Sequence, residues 1–345
     1  MTRTTGRRSG VAPAPRGQVR RRRGVQRWHV AAALATLVLA ALASLFVGVG
    51  DLTPADLLDP DEAQARVLWT SRVPRLLAIL LAGSAMAVAG LVMMHLTRNR
   101  FVSPQTAGTT EWVGLGIVVA TLWFGGSSVL GKMSIGVVFA LVGTALFVWL
   151  LQRMVLTDVV VVPLVGILLG GVVTAATTFL AYRFDLLQSM DVWMNGDFSG
   201  VLAGRYELLW LVLAATVLAY LWADRFSVAG MGESFAINLG VAYTRVVMVG
   251  LAIASVVTAI VVVSVGSIPF LGLVVPNLVT LAMGDNLRRV LPVTALTGAA
   301  FVLVCDVLAR TIRYPYEVPV GMVGGVVGGV LFVWLLLRAR KRAFT

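Results

Sequence analysis

Residues 243–283 read YTRVVMVGLAIASVVTAIVVVSVGSIPFLGLVVPNLVTLAM. The first block, 243–265, is apolar over the length needed to cross roughly 30 Å of hydrocarbon. A segment in lipid must satisfy its own backbone hydrogen bonds, so this block predicts a helix. The second block, 268–283, is short and carries Pro269, Gly272 and Pro276, so it predicts a broken or kinked span.

Outward from this stretch the pattern repeats. Apolar blocks fall at 28–50, 72–96, 104–124, 133–153, 159–182, 205–223, 243–265, 268–283, 291–311 and 318–338. The third begins after Pro104 and holds Gly108, Gly114 and Gly116. The predicted fold class is all-α, a polytopic transmembrane helical bundle of about ten spans. Composition agrees, since 59% of the 345 residues are hydrophobic and 13% are charged. A soluble domain is nearer 45–50% apolar and about 25% charged.

The formal charge of +12 has the magnitude of a nucleic-acid binder but not the distribution. Nine arginines precede residue 28, and the remaining cations flank the apolar blocks. That is a topology signal, and no nucleic-acid partner is expected. An even number of spans puts both termini on one side. The arginine-rich start and the ending Arg338, Arg340, Lys341, Arg342 predict that this side is the cytoplasm. Of the 28 Lys and Arg, 20 then lie inside and 8 outside. The block Val30 to Gly50 is too long for a signal-peptide core and is read as a retained helix. Residues 1–27 are expected to be a disordered basic cytoplasmic tail, and 28–345 the membrane domain. The larger connections are 51–71 and 183–204 outside and 224–242 inside.

Gly126 to Lys132 has the G-x-x-x-x-G-K spacing of a phosphate loop. Met133 follows where Ser or Thr should hold magnesium, and the stretch joins two membrane blocks rather than a strand to a helix. No nucleotide site is expected on this chain. Ser71 to Arg75 reads SRVPR and opens the second span on the outer side, where positive charge is disfavoured. Arg72 and Arg75 share a helix face, and Arg310 ends the ninth span on the same side. Long cationic chains at such positions either snorkel to the interface or present a positive surface to an acidic partner.

The inner connection Phe226 to Gly240, FSVAGMGESFAINLG, is longer than a link between spans requires. It predicts a surface amphipathic helix or a short helix pair that docks into a cytoplasmic motor. Two acids fall within spans, Glu111 and Asp306. Arg310 lies one turn from Asp306 and can pair with it, whereas Glu111 lies in a glycine-rich helix. His29, His95 and the single Cys305 do not form a metal-ligand pattern. Gly321, Gly325 and Gly329, with Gly324 and Gly328 alongside, predict close helix packing.

These pieces resemble the FecCD family of permeases over roughly residues 65–340. The matching stretches are RVPRLLAILLAGSAMAVAGLVMMHLTRN (72–99), WMNGDFSG (193–200), MGESFAINLGV (231–241), GSIPFLGLVVPNLVTLAMGDNLRRVLPVTALTGAAFVLVCDVLAR (266–310) and EVPVGMVGGVVGG (317–329). Pro276-Asn277 stands where the family usually reads Pro-His. The stretch 96–109, LTRNRFVSPQTAGT, resembles the branch that handles catecholate or carboxylate ferric siderophores.

The resemblance implies a transport subunit with no catalytic residues and no cofactor or metal of its own, in a bacterial cell membrane. It implies a second permease, identical or homologous, and two cytoplasmic ATPase subunits that hold ATP and Mg. It also implies an extracytoplasmic substrate-binding protein and a ferric-siderophore cargo. By position, Arg72, Arg75 and Arg310 are implied to receive glutamates of the binding protein. Gly232, Glu233, Ala236, Leu239 and Gly240 are implied to form the ATPase-coupling segment, and Thr157 and Asp158 to lie near a cytoplasmic gate. Haem or cobalamin is the alternative cargo within the same class. An ion-coupled secondary transporter would require paired acids near the midplane, and no such pair is found. A structural scaffold leaves the outer arginines and the inner connection unexplained.

Overall fold

The computed structural model describes residues 27–47, 61–126, 128–154, 160–204 and 206–343. Along them run α1 (Arg27–Phe46), α2 (Glu62–Val67), α3 (Val73–Leu96), α4 (Thr109–Trp123) and α5 (Val129–Arg153). Next come α6 (Val161–Arg183), α7 (Leu187–Met194), α8 (Trp210–Leu221), α9 (Ala223–Gly230) and α10 (Glu233–Asn238). The chain closes with α11 (Tyr243–Val265), α12 (Leu271–Met283), α13 (Leu287–Thr311) and α14 (Val320–Ala343). No strand occurs among the described residues, so the all-helical expectation holds.

Each of the ten apolar blocks contains a helix. Among the described residues six helical stretches are individually long and apolar enough to cross a membrane, and a bent pair, Glu207–Leu221 with Ala223–Gly230, makes a seventh. That pair turns by 59°. The helices Leu34–Phe46, Thr109–Trp123 and Leu271–Met283 are apolar but shorter. Two boundaries differ from the expectation. The third block does not become helical after Pro104, because 98–108 is irregular and α4 starts at Thr109. The eighth starts at Leu271, after an irregular 266–270. Residues 266–270 are mostly apolar and 104–108 abut the apolar run of α4, so hydropathy averaged over a block does not mark these breaks.

The core is built around α3. Its start is set by Asp61, which caps α2 by accepting from the Gln64 N–H at 2.7 Å while the Gln64 side chain accepts from the Asp61 N–H. A π-helical turn, Leu68–Arg72, then leads into α3. Pro74 follows it and supplies no N–H, and the Thr70 carbonyl one turn back accepts instead from the Ala203 N–H at 2.9 Å. α3 is buried along nearly its whole length and packs on α11, α12 and α13. Contact with α12 is backbone to backbone: a Cβ on Gly90 would lie 1.9 Å from the Gly272 carbonyl oxygen.

The outward faces are apolar. Leu164, Ile167, Leu168 and Val172 on α6, and Met322, Val326 and Val330 on α14, are exposed. Such continuous apolar surface is stable against lipid or another subunit rather than water. The connection after α6 forms α7 and then an extended run beside 265–267. There Ser267 N–H donates to Met194 O at 3.1 Å and Asp197 N–H donates to Val265 O at 2.8 Å. Gly321 N–H reaches Gly196 O at 2.7 Å, which sets the start of α14 against the same run.

Candidate functional site

Three arginines and two carboxylates meet at one end of the bundle. Arg75, in the first turn of α3, donates from Nε and Nη2 to Asp306 Oδ1 at 3.1 and 2.8 Å. Its Nη1 donates to Glu317 Oε2 at 2.7 Å. Arg310 takes the other Asp306 oxygen, one helical turn away, as its spacing predicted. Arg310 also donates to Ser44 O, Ser44 Oγ and Val47 O, and Arg72 donates to Leu45 O and Val47 O. Apart from the Ser44 hydroxyl, these are open carbonyls at the end of α1, and cations are favourable there.

The cluster therefore fastens the end of α1 to the start of α3, the end of α13 and the turn before α14. Asp306 is fully buried, and Arg310, Arg72 and Arg75 expose only 3%, 7% and 9% of their surface. The sequence suggested guanidinium groups facing outward, and the structure turns them inward. An Asp buried among apolar helices requires cations around it, because an unpaired buried charge is strongly disfavoured. Glu317, whose side chain is 28% exposed, is the half-open member of the cluster. Glu317 opens the stretch 317–329, but no local pattern in the sequence marks it as the partner of Arg75.

The opposite end carries the connection expected on the inner side. The expected short helix pair is present as α9 and α10, and Gly230 of α9 lies against the His95 carbonyl at the far end of α3. Gly232 starts α10 at φ +114°, and Gly240 follows it at φ +73°. Both values lie where residues with a Cβ are disfavoured, so these glycines fix the turn on either side of α10. Ala236 and Phe226 are buried anchors. Glu233 is exposed, and so are Met231, Phe235, Ile237 and Leu239. Arg288 pairs with Asp224 and Arg100 with Asp285 around this face. Thr157 and Asp158 lie outside the described residues, as does most of the 1–27 tail.

Between the two ends, the irregular segments 97–108 and 266–270 touch. Asn277 donates from Nδ2 to Arg100 O at 2.8 Å, so the residue standing in place of the family's usual His ties α12 to the first segment. The glycine ridge of α14 packs on the second segment, with Gly321 against Ser267, Gly325 against Pro269 and Gly328 against Phe270. Glu111, in the first turn of α4, has a buried Oε2 without a hydrogen-bond partner and lies against Gly170 of α6. The glycine-rich stretch before α5 is an ordinary helix start, where Ser128 accepts from the Gly131 N–H. Among the described residues no group of three or more His, Cys, Asp or Glu side chains is placed to hold a metal.

Comparison with known proteins gives concordant matches. The profile of the FecCD transport family matches residues 36–338. The chain is 48% identical over 307 residues to a petrobactin import system permease protein of Bacillus subtilis, covering 89% of this chain and 97% of that one. It is 40% identical over 298 residues to a ferric-anguibactin transport system permease protein of Vibrio anguillarum, covering 86% and 95%. Among solved structures, an inward-facing transporter described as of the metal-chelate ABC type superposes with a TM-score of 0.79 at 25% identity. That match covers 91% of this chain and all of the other.

Proposed function

Because the chain belongs to the FecCD transport family, we propose that it is the membrane-spanning permease of a bacterial ABC importer whose cargo is a ferric siderophore. The observation that carries the cargo class is the 48% identity to a petrobactin import permease across nearly the whole of both chains. The chain itself is a multi-pass membrane protein and a transport subunit, with ATP hydrolysis on a separate subunit.

In this reading a second permease, identical or homologous, pairs with this one, and the cargo passes between them. With ten spans both termini lie on one side, and the distribution of Lys and Arg supports the cytoplasm as that side. The arginine end then faces the external binding protein, and the α9–α10 end faces two ATPase subunits that hold ATP and Mg. A siderophore complex is too polar and bulky to cross lipid unaided. Closure of the ATPase dimer on ATP moves α9 and α10. Glu233 and Leu239 supply contact, Gly232 and Gly240 supply the turns, and Ala236 anchors α10 to the bundle. Thr157 and Asp158 would border the inner gate. At the outer end, carboxylates of the binding protein would engage Arg75 and its neighbours Arg72 and Arg310 by taking the place of half-exposed Glu317.

The test is reconstitution of the chain with its partner permease, ATPase and binding protein in proteoliposomes. Radioiron-labelled petrobactin should enter only with ATP and the binding protein present. Uptake driven instead by an imposed proton or sodium gradient, without ATP, would refute the reading.

A further inference from the structure

The two breaks in the helices meet through one side chain. α4 has 15 residues and α12 has 13. At about 1.5 Å per residue they span about 22 and about 20 Å, less than the roughly 30 Å of hydrocarbon. Irregular backbone at such depth is tolerated only where protein or a water-filled cavity satisfies it. Gln105 does so for 266–270. Its Nε2 donates to Ser267 Oγ and Ile268 O, both at 3.1 Å, and its Oε1 accepts the Phe270 N–H at 3.0 Å. One amide thus uses both donors and its acceptor to join two segments 162–165 residues apart.

The residue that Gln105 holds is strained. Phe270 sits at φ +61°, a region disfavoured for a residue with a Cβ, and bulky side chains are rare there. Its ring packs on Phe332 of α14 with centroids 6.1 Å apart. Gly328 leaves the room, since a Cβ there would meet the Phe270 Cβ at 2.6 Å. Beside Phe270 lies a cavity of about 210 Å³, bordered by Ser103, Thr106, Leu273 and the exposed Ile167 of α6.

We propose that Gln105 is a positioning residue for transport: it clamps 266–270 onto 97–108, holds the Phe270 ring beside this cavity, and must release for cargo to pass. The proposal rests on the importer reading. With the clamp closed, three hydrogen bonds offset the strain at Phe270. With it open, Phe270 relaxes to ordinary backbone geometry and its ring leaves the Gly328 notch. The clamp therefore sets how far opening follows the ATPase cycle.

The test uses the complete complex in proteoliposomes and reads chelate moved per ATP hydrolysed. Gln105→Leu keeps the bulk and removes all three bonds. Gln105→Glu keeps the acceptor for Phe270 but sets an oxygen against Ile268 O. Phe270→Gly removes both the strain and the ring. Each should lower the ratio, Gln105→Leu by at least about fivefold, the shift in equilibrium that losing one net hydrogen bond produces. ATPase activity should persist. In a Cys305→Ser background, Leu273→Cys should react faster with a small thiol reagent once Gln105→Leu is added. An unchanged ratio with an unchanged labelling rate would overturn the clamp. So would equal loss of uptake and ATPase at an unchanged labelling rate, which marks a structural prop. Should Gln105→Leu not assemble, Gln105→Glu and Phe270→Gly decide the matter, and a wild-type ratio in both overturns the proposal. Thiol labelling needs no cargo, so it judges the clamp even if ATP-driven uptake of a chelate is absent.

Discussion

The two ends of α3 and α13 treat exposure in opposite ways. At the arginine end, Arg75 and Arg310 are folded into the protein around Asp306, and Arg72 onto the carbonyls at the end of α1. At the α9–α10 end, Met231, Phe235, Ile237 and Leu239 face outward within ten residues. Residue type alone would have assigned the arginines to the surface and these four to the core. The reversal has a physical basis. A buried carboxylate in an apolar bundle draws every nearby cation inward. An apolar patch at the end of a membrane bundle is stable only if something covers it. One end is finished within the chain, and the other leaves apolar side chains uncovered.

Breaking the finished end should have the largest effect. Asp306→Ala leaves Arg75 and Arg310 buried without their shared carboxylate, and an orphaned buried charge costs about 3–5 kcal/mol. The variant should unfold well below wild type in a detergent thermal-shift measurement, or fail to accumulate in the membrane. Adding Arg310→Met should recover part of the loss, because it removes one of the orphaned charges. A stable Asp306→Ala protein would show that the cluster is solvated and that its inward packing matters little.

The unfinished end should fail differently. Phe235→Ser with Leu239→Ser alters exposed side chains, so stability should stay within about 0.5 kcal/mol of wild type. Anchors of this kind contribute about 2 kcal/mol or more to an interface. Co-purification with the ATPase subunits should therefore fall sharply while the permease folds normally. If the permease loses stability and the ATPases stay bound, α10 belongs to the core and the contrast between the two ends collapses.

A smaller effect is expected where the two segments are tied by Asn277. Its Nδ2 bridges Arg100 O and Leu273 O. Asn277→Ala should lower stability by about 1 kcal/mol, one net hydrogen bond. Asn277→His, which restores the family's usual residue, should be milder in the same thermal-shift measurement.

Much of this was legible in the sequence. Apolar blocks of spanning length locate helices because lipid leaves the backbone no other solution. The pairing of Asp306 with Arg310 followed from a spacing of one turn. Other features were hidden for definite reasons. The break at 98–108 was read as helix after Pro104, although Gln105 and Thr106 put polar side chains there. Hydropathy averages over such residues, and only the opposing 266–270 segment gives them a purpose. Glu317 is 242 positions from Arg75, and no local pattern links them. α7 lies in a connection read only as a long outer loop. The inward turn of the arginines depends on α1, whose terminal carbonyls no side-chain pattern announces.

The finest test of the comparison concerns Glu317. If the arginine end is wholly internal, its state is indifferent to an outside partner. If carboxylates of a binding protein dock there, they must compete with Glu317 for Arg75, because Asp306 is fully buried and Glu317 is not. Glu317→Gln removes the internal competitor and keeps the shape. Partly exposed pairs are worth about 0–1 kcal/mol, so the change in folding stability should be small. The effect on association should run the other way. The cluster gains a net positive charge, and steering of an acidic partner should raise the on-rate a few-fold at low salt. The gain should fade as ionic strength shortens the screening length. Stopped-flow association of the labelled binding protein with the reconstituted complex, at low and high salt, measures this directly. A slower or unchanged on-rate at low salt would mean that the arginines are fasteners alone. The exposed Ile312, Tyr314 and Tyr316 of the α13–α14 turn would then be the next residues to substitute.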